Sequence, residues 1–556
     1  MKISDSLTTL KVRQKLYPGV IAILFFFSLL IQSCSPSIVQ SPPINQTLEP
    51  TVTQVKLDQL AISFDPSVPQ SLSQTLDSNS PLKIVGFESG EDLQIIPDQE
   101  GGNIEWIFTL VAPFPTLTDN VSLKLLQNFW AGTVDSIAGS EKIVLSEETL
   151  RAIQAILGKP DQDHFAVVDR ENILLQSWEE KNVLAIVPFE ELVPQWKVMR
   201  IDGMSPLDKK LDTRVYPLLV KYALRGDQDI LQALAEAQVD SAGWIPLTNR
   251  DPNKMTILIM TGTTALVRNI AAKMEEKGIT YPAEKIMQVF ENADIIHISN
   301  EVSFNEDCTS PDREGVRFCS APAYIELLQS IGTDIIELTG NHLLDYGAEP
   351  FTYTLDLYDS LGMKYYGGGE NLDSARQPLL IEDHNNKIAF IGCNIAGPVS
   401  HFATNKKPGA ATCDFEWLDD QIGALKSSGY ITIMTFQHNE TYKILPPREQ
   451  KNDFKKIALA GADIVSGSQA HFPQSIAFVG NSFIHYGLGN LFFDQMDEPV
   501  KGTRQEFIDK HVFYDGRYIS TELLTTMLED YSQPRPMTAD EREQLLFTIY
   551  KYIVWS

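Results

Sequence analysis

Three strand-like runs in the second half of the chain each end in a histidine-bearing polar loop. They are Thr333 to Gly347 (TDIIELTGNHLLDYG), Tyr430 to Tyr442 (YITIMTFQHNETY) and Ala462 to Gln474 (ADIVSGSQAHFPQ). Each opens with β-branched, apolar residues and turns polar abruptly. In open α/β sheets, ligand-binding side chains converge at the carboxyl ends of neighbouring strands. Imidazoles delivered there from separate segments suit a metal ion or a phosphate.

The elements that would position these loops form a regular series. From about Met255 to Gln495 the chain reads strand, polar loop, helix, repeatedly. MTILIMTG leads to a helix near Ala265 to Lys277, and ADIIHISNE, KIAFIGCN and SFIHYGLGN are further strands. REQKNDFKKIALAG predicts a helix with Phe454, Ile457, Ala458 and Leu459 on its apolar face and Gly461 as its stop. KHVFYDGRYIST predicts a hairpin turning at Asp515-Gly516, and a last helix runs from about Asp540 to Ile553. Before this region, residues 81–253 also alternate strands and helices. Glu105 to Phe114 and Asn182 to Phe189 read as strands, Leu123 to Trp130 and Asp229 to Ala237 as helices.

Between Met255 and Gln495 the order and spacing of several motifs resemble the CapA family of bacterial poly-γ-glutamate capsule proteins. The resemblance implies a calcineurin-like metallophosphoesterase fold, a four-layer α/β sandwich with ligands at strand ends. TGNHLLDYG matches well: Asn341 would be a metal ligand, His342 the phosphate-facing acid, and Asp345 its orienting partner. In HNETY, His438 takes the place of a ligand histidine, with Glu440 nearby. His471 matches the last histidine of a GHHPH loop. YGLGNLFFDQ matches the closing motif, with Asn490 and Asp494 as structural residues.

The departures bear on chemistry. Thr263 stands where the family has an aspartate, while Arg268 stays in step. Ser468 and Gln469 stand where an earlier histidine is expected. Ser299-Asn300-Glu301 shifts a carboxylate by one place. Two-metal phosphoester hydrolysis needs a bridging carboxylate and several ligands per ion. Glu301, Asn341, His438 and His471 are the expected ligands of one divalent ion (Mn, Zn or Mg), with a second in doubt. Thr263, Arg268, Asn300, Glu440, Ser468, Gln469 and Asn490 would line the cleft. The other histidines read as structural: His297 as a core or edge residue, His485 as core or cleft wall, and His164, His384, His401 and His511 as surface residues.

In residues 81–253, WIFTLVAPFPTLTD, VLAIVPFEELVPQWKVMRIDG and YPLLVKYAL resemble fragments of periplasmic solute-binding proteins. The expected fold is therefore α/β throughout, a smaller solute-binding-like domain preceding the sandwich of residues 254–556.

The 556 residues, 43% hydrophobic and 21% charged, describe a globular chain of two or three domains. A net charge of −28 argues against nucleic-acid binding, which needs surplus cations. Lys2, Lys11, Arg13 and Lys15 precede the apolar stretch Val20 to Ile31, which ends at Ile-Gln-Ser-Cys. That is a signal-peptide pattern. It is similar to a bacterial lipobox, which implies cleavage before Cys34, lipidation of that cysteine and an extracytoplasmic protein anchored to the cell membrane. Residues 1–34 are then the leader, and 35–80, rich in Ser, Pro, Gln and Thr at their start, a flexible tether. The other four cysteines allow three connectivities, and the expected one is local: Cys308 with Cys319, and Cys393 with Cys413.

The leading expectation is a CapA-like lipoprotein acting in synthesis, export or anchoring of an anionic polymer such as poly-γ-glutamate. Its partners would be that polymer or a phosphoester and capsule-synthesis membrane proteins. The alternatives are an active metal-dependent phosphohydrolase and a non-catalytic solute-binding or scaffolding lipoprotein.

Overall fold

The computed structural model describes residue 58 and residues 60–79, 82–240, 245–308 and 311–556. The leader and Cys34 lie outside the described residues. Among the described residues no helix is long and apolar enough to cross a membrane.

Two seven-stranded sheets build the second domain. In the first, Lys364–Tyr366, Ile335–Glu337, Ile295–Asn300 and Met255–Thr264 run parallel, followed by the antiparallel Gln505–Tyr514, Arg517–Glu529 and Gln533–Pro536. In the second, Asn386–Asn394, Ile431–Gln437, Ile464–Ser468 and Ser482–His485 run parallel as neighbours. The two face each other across a core that includes Leu258, Met260, Ile335, Phe390, Ile433 and Phe483. The opposite face of each sheet is covered by helices. Ile298 and Ile336 pack with Phe351 and Leu355 of the helix Ala348–Leu361. Met434 and Phe436 pack with Phe454 and Ile457 of the helix Arg448–Ala460. The result is a helix–sheet–sheet–helix sandwich, an α/β fold as expected.

Alternation along these strands decides what faces the centre, because side chains of successive residues point to opposite faces. On the 431–437 strand, Ile431 and Ile433 enter the inter-sheet core while Met434 and Phe436 meet the helices. Thr435 and Gln437 continue the inward row, so its carboxyl end is polar. Ile295, His297 and Ser299 repeat the switch, as do Ile335 and Glu337 and the row Ile464, Ser466 and Ser468. A layer of buried polar groups therefore closes the sandwich at the carboxyl ends of its parallel strands. Within it, the His297 ring bonds to the Tyr366 hydroxyl at 2.8 Å, and that hydroxyl to Thr435 at 3.0 Å. Burial holds the His297 imidazole neutral, pushing its pKa down to about 3, and raises that of Glu337.

Several element ends follow their local signals. Asp515 and Gly516 both adopt positive φ, 49° and 79°, which suits a tight two-residue hairpin turn. Gly461 ends its helix at φ 112°. Leu459, placed by sequence on the buried face of that helix, is instead 69% exposed. The two local cysteine pairs, Cys308 with Cys319 and Cys393 with Cys413, are disulfide-bonded.

The first domain is a nine-stranded mixed sheet flanked by helices. It begins earlier than the sequence pattern indicated. Residues assigned to the tether form the strand Ala61–Phe64 and the helix Gln70–Asn79, because Ile62, Leu72 and Leu76 are fully buried. Its strand Ile104–Pro113 delivers Phe114 into the core of the second domain, against Phe478 at 5.2 Å, Phe483 at 5.8 Å and Tyr550 at 6.3 Å. Polar contacts frame this wedge: the Gln195 side chain donates to the Gly480 carbonyl at 2.6 Å, and Arg542 grips Asp119 with bonds of 2.9 and 3.1 Å. Phe114→Ala should therefore cost about 3–5 kcal/mol of stability, measured by urea unfolding. It should also separate the unfolding of the two domains, seen as a second transition.

Candidate functional site

The polar loops converge beyond the carboxyl ends of the parallel strands. Gly340 lets the 338–342 segment approach residue 301 closely, since a Cβ there would collide with the Glu301 backbone. That approach places Glu301, buried to 1% exposure, beside Asn341.

The centre of the site is a residue the motif reading passed over. The Gln437 amide nitrogen donates to Asn341 Oδ1 at 3.0 Å, to Glu301 Oε2 at 3.2 Å and to Gln469 Oε1. Its carbonyl oxygen accepts from the Ser468 hydroxyl at 2.6 Å. One neutral carboxamide thus fills the point on which three acceptor oxygens converge. Gln469 reaches it from a backbone at φ 73°, a conformation that costs a non-glycine residue about 1–3 kcal/mol.

His438, expected as a ligand, is one residue out of phase. It points to the helix side, where Nε2 donates to Asp453 Oδ2 at 3.0 Å and the ring packs near Phe436 and Phe454. Asn300 is likewise turned outward, donating to the Val302 carbonyl at 2.9 Å and the Tyr358 hydroxyl at 2.8 Å. Glu440 is exposed and accepts from Tyr442 rather than lining a cleft. Thr263 is buried, and its hydroxyl accepts from the Gln469 backbone N–H at 3.4 Å. His471 is buried, stacked on Phe493 at 4.8 Å, with Nδ1 bonded to Asn490 Oδ1 at 2.7 Å.

The His342 pair is assembled at the mouth. His342 Nδ1 donates to Asp345 Oδ2 at 2.7 Å, and the same carboxylate oxygen accepts from the Phe318 N–H at 2.7 Å. The Phe318 ring lies 4.2 Å from the His342 ring. Phe318 sits in the loop closed by the Cys308–Cys319 disulfide, so that crosslink helps hold the pair. His401, read from sequence as a surface residue, is buried beneath it, bonded to the Asn341 carbonyl at 2.6 Å and 3.8 Å from Asp345. His511, also placed at the surface, is buried with Tyr518 and Thr521. His485 is a core residue paired with Asp509 at 2.7 Å. Arg268, at φ 49°, bonds to the buried Asp494 and lies between the rings of Phe318 (5.2 Å) and Phe493 (4.8 Å). More than 200 residues of sequence separate these two partners.

Burial disfavours charge on His342. The hydrogen bond to Asp345 and the negative charges of Glu301 and Asp345 outweigh it, so its pKa rises above the ordinary histidine value.

The residues present do not fit a two-ion hydrolytic centre. Glu301, His438 and His471 do not bring three ligand atoms within 4.8 Å of one another. The one histidine–carboxylate trio that meets this spacing among the described residues is Asp294, Asp383 and His384, elsewhere in the fold. Even there a cation is already supplied, since Lys209 Nζ lies 2.7 Å from Asp294 and 3.3 Å from His384. At the strand ends Glu301 is the single carboxylate hydrogen-bonded to Gln437 among the described residues. Neutral amide and hydroxyl oxygens bind Mn²⁺ or Zn²⁺ weakly beside Asp or His.

Residues 257–495 match the family described as bacterial capsule synthesis protein PGA_cap. This segment is similar to the CapA family of capsule-synthesis proteins. Over 302 residues the chain is 23% identical to the capsule biosynthesis protein CapA of Bacillus anthracis, covering 53% of this chain and 72% of that protein. It is 23% identical over 237 residues to the PGA biosynthesis protein CapA of Bacillus subtilis (strain 168), covering 42% and 62%. The chain thus spans less than two thirds of the second relative. Among solved structures, a 5'-nucleotidase precursor from Thermus thermophilus aligns at 11% identity over 53% of this chain and 58% of that one, with a TM-score of 0.31. That likeness is too slight to carry chemistry.

Two outcomes follow from this CapA-type site. Because the folded His342 pKa is raised, its stabilising contribution is fully present below the unfolded value of about 6.5 and is lost as pH rises through the folded value. Asp345→Asn should lower the His342 midpoint in an NMR titration and flatten stability against pH in that window. After Mn²⁺ loading, the wild-type His342 signals should stay sharp. A Thr263→Asp/Gln437→His/Gln469→His variant should bind the paramagnetic ion and broaden them; broadening in the wild type would mean that the amide hub admits a metal.

Proposed function

We propose that this protein is a CapA-type component of poly-γ-glutamate capsule biosynthesis. It works outside the cytoplasm, anchored through Cys34, and its strand-end centre binds an anionic group of the polymer or its carrier without hydrolysing it. The match of residues 257–495 to the capsule synthesis family, and the names of the two Bacillus relatives, support the process. The Gln437 hub carries the non-hydrolytic part. An amide bonded to Glu301, Asn341 and Gln469 fills the point on which their oxygens converge with a neutral protein group. What the mouth offers instead is the raised-pKa imidazole of His342 beside Arg268, cations suited to a carboxylate or phosphate.

One observation favours the rival reading of an active phosphohydrolase: the His342–Asp345 pair is intact and ordered as a proton donor would be. The two readings separate in one comparison. Deletion of the gene should reduce surface poly-γ-glutamate, and the wild-type gene should restore it. Cys34→Ala should release the protein from the membrane fraction. Purified wild-type protein with Mn²⁺ should hydrolyse bis(p-nitrophenyl) phosphate no faster than His342→Ala. Turnover at least tenfold above that variant would assign hydrolysis instead, and unchanged polymer on deletion would remove the capsule role.

A further inference from the structure

A second group of ligand-type side chains gathers at the amino ends of the central strands, opposite the Gln437 centre. Asp294 directly precedes the strand Ile295–Asn300, and Asp383 ends the strand Leu379–Asp383. His384 and Asn385, at φ 45° and 66°, form the two-residue turn that leads into Asn386–Asn394. Asn386 pins that turn by donating to the Thr256 hydroxyl at 2.9 Å. Lys209 reaches the same point from the first domain. Asp294, Asp383 and His384 each bring a ligand atom within 4.8 Å of the others, the one such trio among the described residues.

The trio is anchored from behind. Asp294 Oδ2 accepts from the Ile257 N–H at 2.8 Å, which leaves Oδ1 for Lys209 Nζ at 2.7 Å. Asp383 Oδ2 accepts from the Thr256 hydroxyl and from His384 Nδ1, each at 2.6 Å. Lys209 Nζ also lies 3.3 Å from His384 Nε2. An ammonium can only donate, so Nε2 is the acceptor and the ring proton sits on Nδ1. One proton and one ammonium group therefore hold the lone pairs of all three residues. The single lysine is outnumbered. Among the described residues Asp383 makes no ion pair except with His384, and burial together with the Asp383 charge raises the pKa of nearby Asp334. Lys210 bonds instead to the neutral Asn292 at 2.8 Å. The site opens on a cavity of about 710 Å³ whose wall includes Lys209, Asp294 and His384. An ion thus has a path in, and a displaced ammonium has solvent to enter.

We propose that Asp294, Asp383 and His384 form a site for a divalent transition-metal ion of the Zn²⁺ class, with Lys209 as the displaceable cation that occupies it otherwise. One imidazole with two carboxylates, completed by water, is a ligand set that Zn²⁺ accepts. Mg²⁺ and Ca²⁺ take oxygen ligands and gain nothing from the ring nitrogen. A doubly charged ion also offsets the carboxylate excess that one lysine leaves. Giving up a partly exposed ion pair costs little beside the metal–ligand bonds formed. Because Lys209 belongs to the first domain, the exchange trades a tie between domains for a metal held by the second domain alone. This site is separate from the strand-end centre and stands whether or not the capsule reading holds.

The test titrates Zn²⁺ into the metal-free full chain, carrying no histidine tag, by calorimetry. Saturable binding of one ion is expected, with Mg²⁺ and Ca²⁺ bound far more weakly. Lys209→Met keeps the aliphatic stem and removes the competing charge, so it should tighten Zn²⁺ binding by about tenfold or more. His384→Asn suits the positive φ of the turn but removes the imidazole, and should weaken binding by about tenfold or more. In an NMR spectrum of the histidine rings, Zn²⁺ should shift the His384 signals and leave those of His342 in place. No binding, equal binding of Mg²⁺, wild-type affinity in either variant, or a response at His342 in place of His384 would overturn the proposal.

Discussion

Everything at the strand ends depends on one constraint: the inward rows of two facing sheets change from apolar to polar within a single strand length. Once Ile431 and Ile433 give way to Thr435 and Gln437, and Ile335 to Glu337, the polar groups are sealed between sheets. They must then satisfy one another, because an unpaired buried donor or acceptor costs about 1–3 kcal/mol. His297 Nε2, Tyr366 and Thr435 do so in series, and Glu337 is held with its pKa raised. The loops above inherit a floor that is already rigid, which is why side chains from five segments can meet with defined partners.

Gln437 completes that logic. A metal ion organises oxygen ligands by charge, whereas a carboxamide organises them by direction, its two N–H groups shared here among three outward acceptors and its oxygen left for a returning hydroxyl. The hub made with Glu301, Asn341, Gln469 and Ser468 has a fixed geometry and contributes no charge of its own. The ionic character of the site has moved outward to His342 with Asp345 and to Arg268 with Asp494. The charged groups at the mouth and the neutral architecture beneath it are thus supplied by different residues.

The element order and the converging loops were legible in the sequence because apolar periodicity and turn residues encode them locally, whereas the sandwich was expected only through the resemblance to the CapA family. The parity of the site was legible too, but chemistry drew attention away from it. His438 looks like a ligand, yet Ile431 and Ile433 already assign the inward face to odd-numbered positions, which selects Gln437. The same alternation, with Ile296 and Ile298 facing the helices, turns Asn300 away. His401 carried no such signal, since it sits in a short turn whose place under Asn341 is set by tertiary contacts alone. Arg268 with Asp494 joins segments too distant for any local pattern. The early start of the first domain was hidden by its neighbours, as a Ser- and Pro-rich stretch leads directly into a short strand whose one decisive residue is Ile62.

Phe114 has a consequence for how the molecule would report on its own occupancy. A core residue of one domain is supplied by the other, so neither can open without exposing apolar surface in both. Any ligand that prefers the folded form of one domain then raises the free energy of opening the other, by thermodynamic linkage. Binding at the amino-terminal half would be felt at the strand-end centre as added stiffness, with no change of shape required.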